Sequence, residues 1–159
     1  MVAIELYKPS DFDSVKSFVE AIQEHERKFV PELRTGVEIS DLYVKSLIDN
    51  VNQKQGVCLI ARDDDTNIGF AAAWLAEDDD PLLQQEARTH AYVSDMFVSE
   101  SWRRRGIARQ LLQAIETEMK RRGCKRIRLF SKAGNLSALK CYEANDYKAY
   151  EIILSKVLS

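Results

Sequence analysis

Cysteine and histidine are scarce in this chain of 159 residues. The three cysteines, Cys58, Cys124 and Cys141, are odd in number and share no metal-ligand spacing. Each lies in or beside an apolar segment, which favours reduced, packed thiols in a cytoplasmic protein. His25 and His90 are too few and too far apart for a metal site, so no zinc, haem or iron–sulfur centre is expected. No apolar run approaches the roughly 20 residues of a membrane span, and the N-terminus has no apolar signal segment. The phosphate fingerprints Gly-x-Gly-x-x-Gly and Gly-x-x-x-x-Gly-Lys-Ser/Thr are both absent. Repeats and low-complexity tracts are absent too. What remains, 45% hydrophobic and 30% charged residues, has the composition of an ordinary globular protein, and its length suits one domain over 1–159.

Charge is unevenly spread. Residues 1–100 hold 9 Lys/Arg and 20 Asp/Glu, whereas residues 101–159 hold 14 and 5, so a net charge of −2 conceals halves of −11 and +9. A basic half welcomes a polyanion and an acidic half attracts a cation. A single run such as Asp63-Asp64-Asp65 reads as no more than a solvated hairpin tip.

Periodicity gives an alternating order of elements. Residues 3–7 read as a short strand. Ser10 and Asp13 resemble a capping box that opens a helix with Val15, Phe18, Val19 and Ile22 on its face. Ser40 and Asp41 open a second helix with Val44, Leu47, Ile48 and Val51 inward. Residues 57–62 and 68–75 form a hairpin, and 91–98 a further strand. A helix over 107–122 ends at Gly123. A strand at 126–131, a helix at 136–144 and one or two final strands within 147–157 complete an α/β domain.

Two segments carry chemistry. After Met96, Phe97 and Val98 come Arg103, Arg104, Arg105, Gly106, Ile107, Ala108 and Arg109: a strand feeding a helix through a basic turn of the form Arg-x-x-Gly-x-Ala. Unpaired N–H groups and the positive end of the helix dipole make such a turn a phosphate site. About thirty residues on, Asn135 stands where a helix cap belongs, with Ala138 and Tyr142 following it. Each piece alone has a bland structural reading; their order in one chain is more specific.

At this point the chain resembles the GCN5-related N-acetyltransferase (GNAT) superfamily, over nearly its whole length and most strongly over residues 93–147. The resemblance implies a central mixed, mostly antiparallel sheet of about six to seven strands, with about four helices over both faces. It implies acetyl-CoA as cosubstrate, with Arg103 to Arg109 at the pyrophosphate, Met96, Phe97 and Val98 at the pantetheine, and Asn135 and Ala138, at the start of the helix over 136–144, also binding the cofactor. Tyr142 stands at the position of the general acid that protonates the departing thiolate. Asp146 replaces the glycine usual there, a change the left-handed conformation tolerates in Asp. Cys141 replaces an aromatic residue.

The general base is less legible. Many relatives carry an acidic residue on the strand before the basic turn, and Asp95 is the carboxylate there. Strict alternation sets it on the opposite face from Tyr92 and Ser94, unless a β-bulge re-aims it. A water chain to Glu24 or Glu26 is the other option. The acceptor is expected against Glu24, His25, Glu26, Asp79 and Ser94, whose charge favours a cationic small amine: a polyamine, an aminoglycoside or a lysine-like group. A protein N-terminus or lysine is an alternative acceptor, and a non-catalytic acetyl-CoA sensor an alternative role. Direct transfer in a ternary complex is expected, since no Cys-His pair suggests a covalent intermediate. Nucleic acid is disfavoured, because the basic segments lack interleaved aromatics and the chain is acidic overall. No membrane partner is expected; a homodimer is one option, through strands within 147–158.

Overall fold

In the computed structural model, which describes residues 1–158, five strands form one sheet in the order β1-β2-β3-β4-β5. They are β1 (Val2–Leu6), β2 (Val57–Asp63), β3 (Thr66–Glu77), β4 (Thr89–Val98) and β5 (Ile127–Leu129). The first four pair antiparallel, and β5 joins β4 in parallel. Helices α1 (Phe12–Glu26) and α2 (Gly36–Gln53) cover one face. There Val15, Phe18, Val44 and Leu47 pack on Cys58, Ile60, Phe70 and Trp74. The opposite face is covered by α4 (Ile107–Arg121), whose Ile107, Leu111, Ile115 and Met119 meet Leu59, Ala71, Ala73 and Val93. Single-turn α3 (Gln85–Arg88) precedes β4, and α5 (Leu136–Glu143) follows β5.

Both early helix starts differ from expectation. The N-cap residue of α1 is Asp11 rather than Ser10, and its side chain does not cap α1: the Asp11 carboxylate instead accepts the Lys8 N–H at 2.9 Å and closes the preceding 3-10 turn, Pro9–Asp11. Asp11 is buried, where the Arg62 guanidinium and the Asn67 amide each donate to it at 3.0 Å. α2 begins four residues before Ser40: Thr35 and Glu38 form a capping box there. Ser40 is buried mid-helix and donates to Glu20 at 2.7 Å.

The end of α4 follows expectation. Gly123 is left-handed (φ +86°), and the N–H groups of Gly123 and Cys124 close on the carbonyls of Lys120 and Met119. The final strands do not form: residues 147–158 have no regular structure, which leaves five strands instead of six or seven. β5 is three residues long, and its outer edge has no partner strand among the described residues.

Candidate acetyl-transfer site

The site begins at an irregularity in β4. Ala72 pairs with Asp95 and Ala73 with Val93, so Ser94 is an extra residue, a β-bulge. Before the bulge, Ala91 and Val93 face α4 and Tyr92 faces α1 and α2; after it, Met96 and Val98 face α4, and Phe97 faces α1 and α2. Asp95 therefore lies on the α1–α2 face with Tyr92. There the Tyr43 hydroxyl, from α2, donates to Asp95 Oδ2 at 2.9 Å. Desolvation raises the Asp95 pKa; the Ser94 and Tyr43 hydroxyls oppose this, and Glu26 adds to it.

The bulge also ends the pairing with β5. That ladder covers residues 91–93 of β4 against 127–129 of β5, after which β4 is held by β3 alone. Alternate backbone groups of residues 95–98 thus face an open side.

The helix ends converge on this opening. At Gly134 a Cβ would stand 2.6 Å from the Phe29 ring, so the missing side chain lets the turn before α5 approach the segment after α1. Glu26, at the end of α1, lies 3.7 Å from Lys132. Its charge raises the pKa of Tyr43, Tyr92, Asp95 and Tyr142. Tyr142, on α5, is pushed up to about 12, chiefly by burial and then by Cys141, Glu26 and Asp95. Its phenol is protonated at neutral pH. The chain leaves α5 through Asp146 at φ +66°, the left-handed turn in which glycine is usual.

On the other side of the opening, the turn into α4 alternates in hand. Arg104 (φ +62°) and Gly106 (φ +78°) are both left-handed. Successive N–H groups of such a turn converge as a nest for anions. No side chain caps α4 and no acid stands in its first turn. Among the described residues, the N–H groups of residues 104–109 have no hydrogen-bond partner outside the helix ladder. Arg104, Arg105 and Arg109 are exposed around them, and Arg103 Nε is anchored on the Val98 carbonyl at 3.0 Å. Ile107 is buried and Ala108 packs against the core, so these two offer backbone rather than side chain. A diphosphate fits this donor set. Asn135 is the N-cap of α5, its side chain accepting from the Ala138 N–H at 3.3 Å.

The remaining expected residues fall in different places. Glu24 accepts from the Gly36 N–H at 2.7 Å and from Arg27 at 2.9 Å, which lowers its pKa and ties it to the start of α2. His25 stands edge-on to Phe29. Asp79 is exposed in the loop after β3, whereas its neighbour Asp78 is ion-paired with Arg128. Ser94 lines a cavity of about 230 Å³ with Tyr43, Ser46, Asn50, Trp74 and Tyr92. Tyr43, Trp74 and Lys132 had no signal in the sequence, since each reads there as an ordinary helix, strand or loop residue. Among the described residues, no group of three or more His, Cys, Asp or Glu is placed to hold a metal ion, and no helix is long and apolar enough to cross a membrane.

A β-bulged strand splayed from its parallel neighbour, with an anion nest at the head of the next helix, defines an acyl-CoA-binding type of α/β domain. The model of the Acetyltransferase (GNAT) family matches residues 19–147, and the chain belongs to that family. Over 70 residues it is 37% identical to GCN5-related N-acetyltransferase 4, chloroplastic, of Arabidopsis thaliana; this is 44% of the chain and 24% of that longer protein. A mutant of the BH1408 protein from Bacillus halodurans superposes with a TM-score of 0.87 at 21% identity, over 99% of each chain. The aminoglycoside N-acetyltransferase AAC(6')-Iy, in complex with CoA, gives 0.73 at 17% identity, over 99% of this chain and 95% of that one.

Proposed function

We propose that the chain is an acetyl-CoA-dependent N-acetyltransferase acting on a primary amine of a cationic small molecule, by direct transfer in a ternary complex. The observation that carries the reading is the bulge at Ser94, which puts Asp95 on one face with Tyr92 and near Glu26 and Tyr142. A basic nest and an acidic cluster then flank the two sides of a single opening. CoA phosphates suit the first and an alkylammonium suits the second.

An alkylammonium has a pKa near 10 and must lose a proton before it can attack. Asp95, whose pKa burial raises toward that of a useful base, takes this proton. Glu26 and the exposed acids beyond β3 hold the cation in place beforehand. The amine nitrogen bonds the acetyl carbon and the carbon–sulfur bond breaks; open N–H groups of β4 receive the charge that develops on the carbonyl oxygen. Tyr142 donates its phenolic proton to the leaving sulfur, and the second proton, shed by the nitrogen as the amide forms, restores the phenol. The CoA-bound aminoglycoside acetyltransferase of similar fold supports the choice of a polycationic amine.

The test is release of free thiol from acetyl-CoA with polyamines, diamines, aminoglycosides, free lysine and peptides. Release that depends on one cationic class supports the proposal and names the acceptor. Release with peptides alone points to protein acetylation. Binding of acetyl-CoA without turnover on any amine favours a sensor, and absence of binding refutes the reading.

A further inference from the structure

Beside Asp95, between α2 and the sheet, lies the cavity of about 230 Å³. Tyr43 ties it to the reacting centre: the residue lines the cavity, while its hydroxyl donates to Asp95 Oδ2 at 2.9 Å. Ser94, the extra residue of the bulge, stands in the wall next to Asp95 in the chain. A molecule held in this cavity therefore lies beside the carboxylate assigned to take the amine proton. Tyr92 in turn meets Phe130 at 5.7 Å between ring centres, so a row of rings runs from the cavity to the end of β5, where the side of β4 opens.

The walls are rings and carry no charge. Trp74 and Tyr92 are cross-strand partners on β3 and β4, with ring centres 5.4 Å apart and planes at 78°. Two rings at that angle make a corner, and Tyr43 adds a third from α2. Buried Leu47 extends the apolar lining. The polar members are engaged within the chain: the Asn50 amide donates to the Ser46 carbonyl at 3.0 Å, and the Ser94 hydroxyl to the Ala72 carbonyl at 3.4 Å. Among the described residues, no Asp, Glu, Lys, Arg or His lines the cavity. A second ammonium would enter it without a counter-ion, a desolvation cost that cation–π attraction to the rings offsets only in part. Size points the same way. A cavity of roughly 150 Å³ takes benzene. The larger one here suits one aromatic ring with about two or three further carbon atoms, or a fused pair of rings. Such a ring also gains edge-to-face contacts of the kind Trp74 and Tyr92 already make.

We propose that this cavity is the acceptor subsite for an uncharged aromatic ring, joined by a short alkyl link to the primary amine that is acetylated. The place of the amine at Asp95 rests on the acetyl-transfer reading above; the ring's place in the cavity does not. The cationic acceptor narrows to an arylalkylammonium, with the ring between Trp74, Tyr92 and Tyr43 and the ammonium at Asp95. Further positive charges, where an acceptor has them, stay outside the cavity.

Thiol release from acetyl-CoA is compared for 2-phenylethylamine, tryptamine and 1,4-diaminobutane, and the ring is located by intermolecular NOEs to the Trp74 indole in the presence of CoA. The aromatic amines should exceed the diamine at least about 100-fold in kcat/KM, from the apolar area that the ring buries. Ser46 is exposed on α2, so Ser46→Phe fills the cavity without entering the core. It should raise KM for 2-phenylethylamine at least about 30-fold and abolish the NOEs, with acetyl-CoA affinity kept as the check on the fold. Equal or faster turnover of the diamine overturns the proposal and leaves acetyl transfer standing. A preference for the aromatic amines without NOEs to Trp74 puts the ring elsewhere and also overturns it. NOEs to Trp74 with no turnover of any amine support the ring site and refute the acetyl-transfer reading instead. Absence of both turnover and NOEs overturns both. The substrate ranking and the wild-type NOEs decide the matter even if Ser46→Phe does not fold.

Discussion

Removing a carboxylate from water raises its pKa unless donors or cations compensate, and Asp95 receives only hydroxyl donors while Glu26 adds a second negative charge nearby. The sign of the consequence follows from linkage. A group whose folded pKa is raised contributes its stability below the ordinary carboxylate pKa and loses it as pH rises through the raised value. Asp95→Asn should therefore stabilise the protein at pH 8 by on the order of 1 kcal/mol, or a Tm increase of about 2–4 °C. The gain should vanish near pH 4, which melts at the two pH values would reveal. The same variant should lower kcat by about 100-fold or more if Asp95 takes the amine proton. An unchanged kcat would move the role to Glu26. Tyr142→Phe should reduce kcat by roughly 10–100-fold with acetyl-CoA affinity held within about two-fold, read by thiol release and calorimetry. Lost affinity with preserved rate would assign Tyr142 to binding instead.

Elements meet at this site because two glycines allow it. A methyl at Gly134 would stand 2.6 Å from Phe29 and push the α1 end away from α5. Gly134→Ala should cost about 1–3 kcal/mol, as overpacking does, and Phe29→Leu in the same chain should recover part of it. Thermal melts of the two single variants and the double variant form the cycle. Gly106 differs, since a Cβ there would touch nothing within 4 Å, but its φ is +78°. Gly106→Ala should cost about 1–2 kcal/mol through backbone strain alone. It should also weaken acetyl-CoA, because the nest depends on that conformation.

Across the whole molecule the charge asymmetry acquires a location. Basic residues of the second half ring the nest at the head of α4, and among the acids of the first half Glu26, at the end of α1, acts on Asp95 beside the opening. Exposed charges of this kind act through solvent and are screened by salt. Raising ionic strength from about 0.05 to 0.5 M should raise the KM for acetyl-CoA several-fold, with kcat changed less than about two-fold. A KM insensitive to salt would remove the arginines from cofactor capture.

Local signals determined the elements and the nest. Alternation in 91–98, the helical face of Ile107, Leu111 and Ile115 and Gly123 as a stop all depend on neighbours within a few residues, so the sequence carries them, whereas the left-handed turn at Asp146 was legible only through the family resemblance. The start of α2 was misplaced because Ser40 resembles a cap but is buried against Glu20, a contact twenty residues away. Which face Asp95 occupies is likewise not a local property: the bulge exists only in the pairing of β4 with β3, and alternation by itself gives the opposite face. Tyr43 becomes the partner of Asp95 only when α2 lies on the sheet. The absence of a sixth strand among the described residues has the same origin. A strand pattern records what residues 147–157 can do, whereas hydrogen bonding needs an edge, and tertiary structure alone decides whether one is within reach.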